Sequence, residues 1–305
     1  MGVSLLSERR GRSDSPTRSR ARRARGALAV ARSLRGAFAG VTLASLLLVP
    51  RVETRARTLF ADEFNGTALD RAKWNVIVTG SGWRTVNNEQ EAYIDSPDVL
   101  RVHGGVLTIH PVFQPGFRTP DGKSADFVSG RIDTRDKFAF TYGTAAARMK
   151  LAPGAGLWPA FWALGNGRWP DTGEIDVMEN VGDPGWTSVA LHGPGYFGNT
   201  PLVKHAAVDI TTWHVYSVDW TSDLLVFRID GREIYRVSKA DTEKYGRWAY
   251  DNPKHIILNL ALGGGYPHGV NKAEHPYFGI PQATVDQIKA GKADTLVDWV
   301  RVTQR

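Results

Sequence analysis

The chain has 305 residues, a formal net charge of +7 at pH 7 and no cysteine, which excludes disulfides, thiolate metal sites and a thiol nucleophile. Of its 38 basic and 31 acidic side chains, residues 1–57 hold 13 arginines and three acids, so the remainder carries 25 basic and 28 acidic groups. Because the basic surplus belongs to one end of the chain, we expect no nucleic-acid partner.

The first predicted segment is an export leader over residues 1–57. An arginine-rich stretch runs into the apolar segment AFAGVTLASLLLVP at positions 37–50. That segment is shorter than the ~20 residues of a membrane-spanning helix but suits the roughly 7–15-residue core of a secretory signal. We expect cleavage near Ala56 or Ala61, a secreted bacterial protein, and no membrane contact after cleavage. An uncleaved amphipathic anchor is the alternative.

From Leu59 onward, short alternating apolar and polar segments recur with turn residues between them. The clearest example is HVYSVDWTSDLLVFRIDGREIYRV at 214–237, which predicts three antiparallel strands joined by tight turns. Residues 239–252 and 283–291 are predicted to be short helices. The pattern predicts a single all-β domain, a sandwich or a barrel, over residues 58–305. We expect this domain to be a monomer.

The sequence GEIDVMEN contains three carboxylates, Glu174, Asp176 and Glu179. On a regular strand the first two share one face, while Glu179 points to the other, where its charge would be buried and unpaired. A β-bulge in which Val177 and Met178 oppose one partner residue returns Glu179 to the face of the other two. We therefore predict a bulged strand that carries three acids in a row.

Such a row suits glycoside hydrolysis, which needs one carboxylate as nucleophile or base and one carboxylic acid to protonate the leaving oxygen. Adjacent carboxylates cannot all ionise cheaply, so at least one pKa should rise and keep a proton available near neutral pH. A Ca²⁺ or Mg²⁺ site and the solvated face of a surface strand are the other interpretations. The lack of an Asp-rich EF-hand loop weighs against the first, and the tryptophans near the motif weigh against both.

The motif EIDVME resembles the catalytic signature of glycoside hydrolase family 16 in its bulged form, which is typical of bacterial endo-β-1,3-glucanases (laminarinases). The likeness extends over residues 59–305, in the order of the family, through FADEF (60–64), NNEQEAYIDSPDVL (87–100), GGVLTI (104–109), SGRIDT (129–134), GLWPAFWALG (156–165), WPDTGEIDVMENVG (169–182), LHGPGY (191–196), LNLALGGGYP (258–267) and VDWVRV (297–302). The resemblance implies a β-jelly roll of two curved antiparallel sheets, with a glycan cleft on the concave face.

The resemblance also implies roles for the three acids. Glu174 is the expected nucleophile, Glu179 the general acid/base, and Asp176 the residue that hydrogen-bonds the nucleophile. The expected reaction is hydrolysis of a β-glucan polysaccharide with retention of anomeric configuration, and it needs no catalytic cofactor.

Three tryptophans near the motif are candidate substrate contacts. Trp158 and Trp162 share one face of a predicted strand, so both line the cleft or both belong to the core. By position in the family, Trp158 and Trp169 are the favoured sugar platforms.

Three further residues are candidate substrate contacts by resemblance. His192, in LHGPGY, should lie on a strand next to the acids and hydrogen-bond the acid or the sugar; its alternative role is structural. Asn88 and Arg131 match positions that the family uses on the non-reducing side of the cleft. Their alternatives are a turn amide and a surface ion pair.

Some family members bind Ca²⁺ on the convex face. In this chain the ligands of such a structural ion would be Glu63, the carbonyl of Gly105 and Asp298.

Two other functions stay open from the sequence. The first is hydrolysis of mixed-linkage β-1,3-1,4-glucan or of an algal galactan by the same fold. The second is glucan binding without catalysis. The continuous GLWPAFWALG segment and the methionine in the bulge favour β-1,3-glucan, and the retention of all three acids favours an enzyme.

Overall fold

The structure is a computed structural model that describes residues 56–82 and 85–305. The predicted export leader lies outside this part of the chain except for its last two residues. The strands are β1 (Arg57–Asp62), β2 (Asn75–Val76), β3 (Glu91–Tyr93), β4 (Leu100–His103), β5 (Val106–Ile109), β6 (Val112–Arg118), β7 (Ser124–Ser129), β8 (Arg131–Asp133), β9 (Gly143–Leu151), β10 (Leu157–Gly165), β11 (Glu174–Glu179), β12 (Trp186–His192), β13 (Val203–Ala207), β14 (His214–Trp220), β15 (Leu224–Ile229), β16 (Arg232–Ser238), β17 (Lys254–Leu262) and β18 (Thr295–Gln304). The helices are α1 (Lys239–Thr242), α2 (Gly265–Asn271) and α3 (Gln282–Lys289).

Most strands belong to two large antiparallel sheets. The eight-stranded sheet has the order β16-β15-β14-β9-β18-β5-β4, with β1 also paired to β18. The seven-stranded sheet has the order β13-β12-β11-β10-β17-β8-β2. A small third sheet joins β3, β7 and β6, and its β3–β7 pair is parallel. The all-β prediction is confirmed, and the predicted three-strand meander is β14-β15-β16.

The two large sheets enclose one hydrophobic core because their strands alternate in polarity. In β9, every second residue from Ala145 to Leu151 is buried. In β11, Ile175 and Val177 belong to the same core cluster as Val218 of β14 in the opposite sheet. The acids of β11 therefore point away from the core, onto the outer face of the seven-stranded sheet.

The helices are short and lie between strands. α1 begins at a capping box, in which Ser238 accepts a hydrogen bond from the backbone of Asp241 and the Asp241 side chain accepts one in return. The predicted helices over 239–252 and 283–291 correspond to α1, which is much shorter, and to α3. Helix α2 was not predicted, because its sequence GYPHGVN combines a proline with two glycines. Within the described ranges, no helix has the length and apolarity to cross a membrane.

Candidate active site

Strand β11 contains the predicted bulge. Asp176 pairs with Ala190 and Glu179 with Ser188, so the two residues between the acids face one residue of β12. The side chains of both intervening residues, Val177 and Met178, are at most 2% exposed and fill the core. Two apolar side chains in succession can enter the core only where the strand breaks its period of two, and the bulge allows this.

The strand register places a line of side chains across the outer face of the sheet. Paired residues in neighbouring strands share a face, and the pairings link six strands from β13 to β8. We call this line the acid row after Glu179. It runs across the strands, whereas Glu174, Asp176 and Glu179 follow one another along β11. The members of the acid row are His205, Ser188, Glu179, Ala160, Asn259 and Arg131. Because the row runs across the strands, a linear ligand lying along it would meet a different strand at each step.

Each glutamate of the motif accepts a hydrogen bond from a tryptophan. The indole Nε1–H of Trp169 donates to Glu174 at 2.8 Å, and that of Trp158 donates to Glu179 at 2.9 Å. The predicted tryptophans are therefore at the acids, and their N–H groups favour the ionised forms of both glutamates. Trp169 is also 44% exposed, so its ring is free for a ligand to contact.

Asp176 lies between the glutamates and faces His192. The Nε2 atom of His192 is 3.1 Å from Oδ2 of Asp176, and the two side chains are largely buried. Ligand atoms of Glu174, Asp176 and His192 all lie within 4.8 Å of one another. Two carboxylates and one imidazole are too few donors for Ca²⁺, which takes 6–8 oxygen ligands. The cluster is better suited to sharing protons than to holding a hard cation.

The three acids share an environment that disfavours their charge. Burial raises the pKa of Glu174 to about 8, and the charge of Asp176 adds to this rise. Burial also raises the pKa of Glu179 to about 6. The pKa of Asp176 is held well above its usual range, first by burial and then by the charge of Glu179. Since the groups interact, their protons belong to the cluster, which keeps at least one near neutral pH.

Arg131 and Trp162 lie on the other side of the acids from His205. The guanidinium carbon of Arg131 is 4.8 Å from the centre of the Trp162 ring, and Trp162 Nε1 donates to Asn259 Oδ1 at 2.8 Å. Arg131 is only 4% exposed. Arg131 is therefore not on the surface: it lies buried against an aromatic ring at the row.

Asn88 lies in an exposed turn. Its backbone is left-handed, with φ of 58°, and its carbonyl oxygen accepts a hydrogen bond from Gln90 at 2.6 Å. This geometry agrees with the turn alternative, and its contact with substrate stays a prediction.

The residues expected to bind calcium are engaged elsewhere. Arg301 donates two hydrogen bonds to the carboxylate of Glu63, at 2.7 and 2.8 Å, and Arg148 donates one to Asp298 at 2.6 Å. The backbone of Gly105 lies near that of Glu63, because a Cβ added to Gly105 would be 4.0 Å from the Glu63 carbonyl oxygen. Two guanidinium groups already neutralise the carboxylates. The residues therefore do not fit a calcium cage in this arrangement, and calcium binding stays a prediction.

Three residues of the site are not predicted from the sequence. Asn259 bridges Trp162 and the hydroxyl of Tyr93, and Ser188 contacts the hydroxyl of Tyr266 at 3.1 Å. Asn259 carries a signal in the sequence, because it is a polar residue within the apolar run IILNLALGG. Ser188 and Tyr266 carry none, since their contact depends on α2 folding back over the sheet.

A β-sandwich in which one strand displays three proton-sharing carboxylates on one face has the site of a glycoside hydrolase. A family model described as glycosyl hydrolases family 16 matches residues 72–276, and the chain belongs to this family.

Relatives with named activities agree with this assignment. A β-glucanase of Rhodothermus marinus is 33% identical over 263 residues, which are 80% of this chain and 84% of the relative. A glucan endo-1,3-β-glucosidase A1 of Niallia circulans is 34% identical over 240 residues, which are 69% of this chain but 34% of the relative. Among solved structures, the laminarinase catalytic domain of Thermotoga maritima aligns with a TM-score of 0.72 at 28% identity, and the match covers 82% of this chain and 98% of that domain.

Proposed function

We propose that the protein is a secreted, retaining endo-glycosidase that hydrolyses β-1,3-glucan. The observation that carries the proposal is the bulge in β11, because it aligns Glu174, Asp176 and Glu179 on one face. The similarity to a glucan endo-1,3-β-glucosidase and to a laminarinase supports β-1,3-glucan as the substrate.

In the first step, Glu174 attacks the anomeric carbon of the sugar at the cleavage point. Glu179 gives its proton to the glycosidic oxygen, so the leaving sugar departs as an alcohol. A covalent glycosyl-enzyme on Glu174 results. The raised pKa of Glu179, about 6, keeps a fraction of this residue protonated in mildly acidic and neutral solution.

In the second step, Glu179 acts as the base. It removes a proton from water, the water oxygen bonds to the anomeric carbon, and the bond to Glu174 breaks. Two inversions at the same carbon give a product with the configuration of the substrate.

The nucleophile must be ionised for the first step. Asp176 is placed to take the proton that it shares with Glu174, and in that form it can donate a hydrogen bond to the Glu174 carboxylate. The charge of Asp176 then no longer raises the pKa of Glu174, while the Trp169 N–H stabilises the carboxylate. His192, beside Asp176, positions this carboxyl group.

The proposal is tested by product analysis on laminarin, barley β-glucan and agarose, with the wild type and Glu174→Ala. We expect cleavage of laminarin by the wild type and a loss of roughly 10⁴-fold or more in the variant, which keeps the fold but has no nucleophile. Cleavage of none of the three polymers by the folded wild type would contradict an endo-glucanase. Cleavage of barley β-glucan alone would move the substrate to mixed-linkage glucan.

The stereochemistry has its own test. Proton NMR spectra taken early in the reaction should show the β-anomer before mutarotation supplies the α-anomer. Early α-anomer would exclude the double displacement and require an inverting mechanism.

Export and the monomeric state are part of the same proposal. The leader sequence supports export, and detection of the mature chain in the culture medium with a new N-terminus near residue 56 or 61 would test it.

A further inference from the structure

An aromatic pair lies at the end of the acid row that is opposite Arg131. The rings of Trp186 (β12) and His205 (β13) stack with centres 4.4 Å apart and planes 20° apart. Trp186 is half-buried and His205 is exposed. Trp186 shares the face of Ser188, two residues away, and His205 pairs directly with Ser188, so both rings lie on the face of the acids.

A tyrosine connects this pair to the acid/base residue. The hydroxyl of Tyr266 is 3.1 Å from Ser188 Oγ and 3.4 Å from His205 Nε2. The Trp158 ring packs edge-on against Tyr266, with centres 5.5 Å apart, and donates its N–H to Glu179. Polar and aromatic groups therefore line the face without interruption from Glu179 to the edge strand.

The distance from Glu179 defines which sugar this lining would meet. Strand β13 is two strands from β11, or roughly 10 Å at the usual strand spacing. A pyranose ring advances a glycan by about one strand spacing, so the sugar next to the cleaved bond lies over Ser188 and the following sugar reaches the Trp186–His205 pair.

A purely structural role is the alternative for the pair. Cross-strand aromatic contacts stabilise antiparallel strands, and β13 is an edge strand. Stabilisation alone does not require the outer face, however. The position of the rings on the face of the acids, with one ring exposed, is what a stacking platform for a sugar needs.

We propose that Trp186, His205 and Tyr266 form a sugar-binding subsite on the leaving-group side of the cleft, for the second sugar beyond the cleaved bond. The inference rests on the proposed function and on the resemblance, which implies that Arg131, packed against Trp162, lies on the non-reducing side. These three residues would favour long glucan chains over short ones.

The test compares two substrates that differ on the leaving-group side. One is a nitrophenyl β-1,3-gluco-oligosaccharide cleaved at the aryl bond, whose leaving group is too short to reach β13. The other is a β-1,3-glucan hexasaccharide. For Trp186→Ala, we expect the ratio of kcat/KM for the hexasaccharide to that for the aryl substrate to fall about 10-fold, from the loss of one aromatic contact.

Two further variants complete the experiment. Trp299→Ala removes a tryptophan of the other sheet, which packs under Arg301, and should leave the ratio at the wild-type value. His205→Ala alters an exposed side chain and should lower the ratio even if Trp186→Ala does not fold. With either cleft variant, the hexasaccharide should be cut more often near its reducing end, because fewer sugars are held beyond the cleavage point.

An unchanged ratio and product pattern in folded cleft variants would overturn the subsite, while the wild-type activity would leave the proposed function standing. Equal loss on both substrates would also overturn it, because it would place the pair on the non-reducing side or in a structural role. A wild type that cleaves neither substrate would overturn the subsite together with the proposed function.

Discussion

Two tryptophans donate hydrogen bonds that favour the ionised forms of the two glutamates. Trp169 donates to Glu174 at 2.8 Å and Trp158 donates to Glu179 at 2.9 Å. A donated N–H stabilises a carboxylate, so each indole opposes the rise in pKa that burial causes. The tryptophans of the motif therefore have an electrostatic role in addition to any contact with sugar.

Trp169→Phe tests this role at Glu174, the proposed nucleophile. The variant keeps an aromatic ring but removes the donor, so the pKa of Glu174 should rise by roughly one unit. Because the proposed mechanism requires Glu174 to be ionised, kcat/KM should fall most at low pH and recover toward the wild-type value as pH rises.

Trp158→Phe is the matched control, because it removes the hydrogen-bond donor of Glu179, the proposed acid/base residue, instead. The pKa of Glu179 should rise, so this variant should keep a larger share of its activity at high pH than the wild type. The measurement is kcat/KM between pH 4 and pH 9. Profiles that keep the shape of the wild type in both variants would show that the indoles do not control ionisation.

At the scale of the element, the β-bulge in β11 has two effects. Val177 and Met178 both fill the core, and Glu179 still reaches the outer face. The hydroxyl of Thr187 donates to the Glu179 carbonyl at 2.7 Å, which binds a backbone group near the bulge. The bulge thus combines core packing with the alignment of the acids.

Deletion of Met178 separates these two effects. The shortened sequence Glu-Ile-Asp-Val-Glu alternates regularly, so all three acids should still share the outer face. We expect a variant that keeps measurable activity but is less stable by about 2–5 kcal/mol, because a fully buried side chain is lost. Activity and urea unfolding are the measurements. A folded variant without any activity would show that the bulge itself, and not the shared face, is what catalysis requires.

The acids and the bulge could be predicted because all the information lies within eight consecutive residues. The positions of Tyr266 and Ser188 could not, since they meet only through the folding of α2 over the sheet. The ion pairs of the expected calcium ligands could not be predicted for a similar reason. The arginines that pair with Glu63 and Asp298 are Arg301 and Arg148, the first 238 and the second 150 residues from its acid. Alternation predicts which face a side chain occupies but not its partner on a neighbouring strand.

At the scale of the whole molecule, the active site lowers stability. Glu174 has a pKa of about 8 in the folded protein, above its ordinary value of 4.5. The folded state therefore holds the proton more tightly than the unfolded chain does. The stabilisation associated with this proton is fully present below pH 4.5 and is lost as pH rises through about 8.

Glu174→Gln should therefore raise the melting temperature at pH 8, while near pH 4.5 it should match the wild type. Each kcal/mol gained corresponds to roughly 2–4 °C for a domain of this size. Glu233→Gln is the control, because Arg236 lowers the pKa of Glu233, so its removal should give a small effect of opposite sign. A difference between Glu174→Gln and the wild type that does not vary with pH would attribute the effect to packing instead of ionisation.

The acid row crosses six strands, from β8 to β13, and each of them pairs only with the strands directly beside it in the sheet. A glucan bound along the row would connect the strands of the sheet to one another, because each sugar contacts a different strand. A short chain would brace only the centre. A long chain would also secure β13, the edge strand that has a neighbour on one side alone. The polymer would then reinforce the protein that cuts it, and each cut would remove part of that reinforcement.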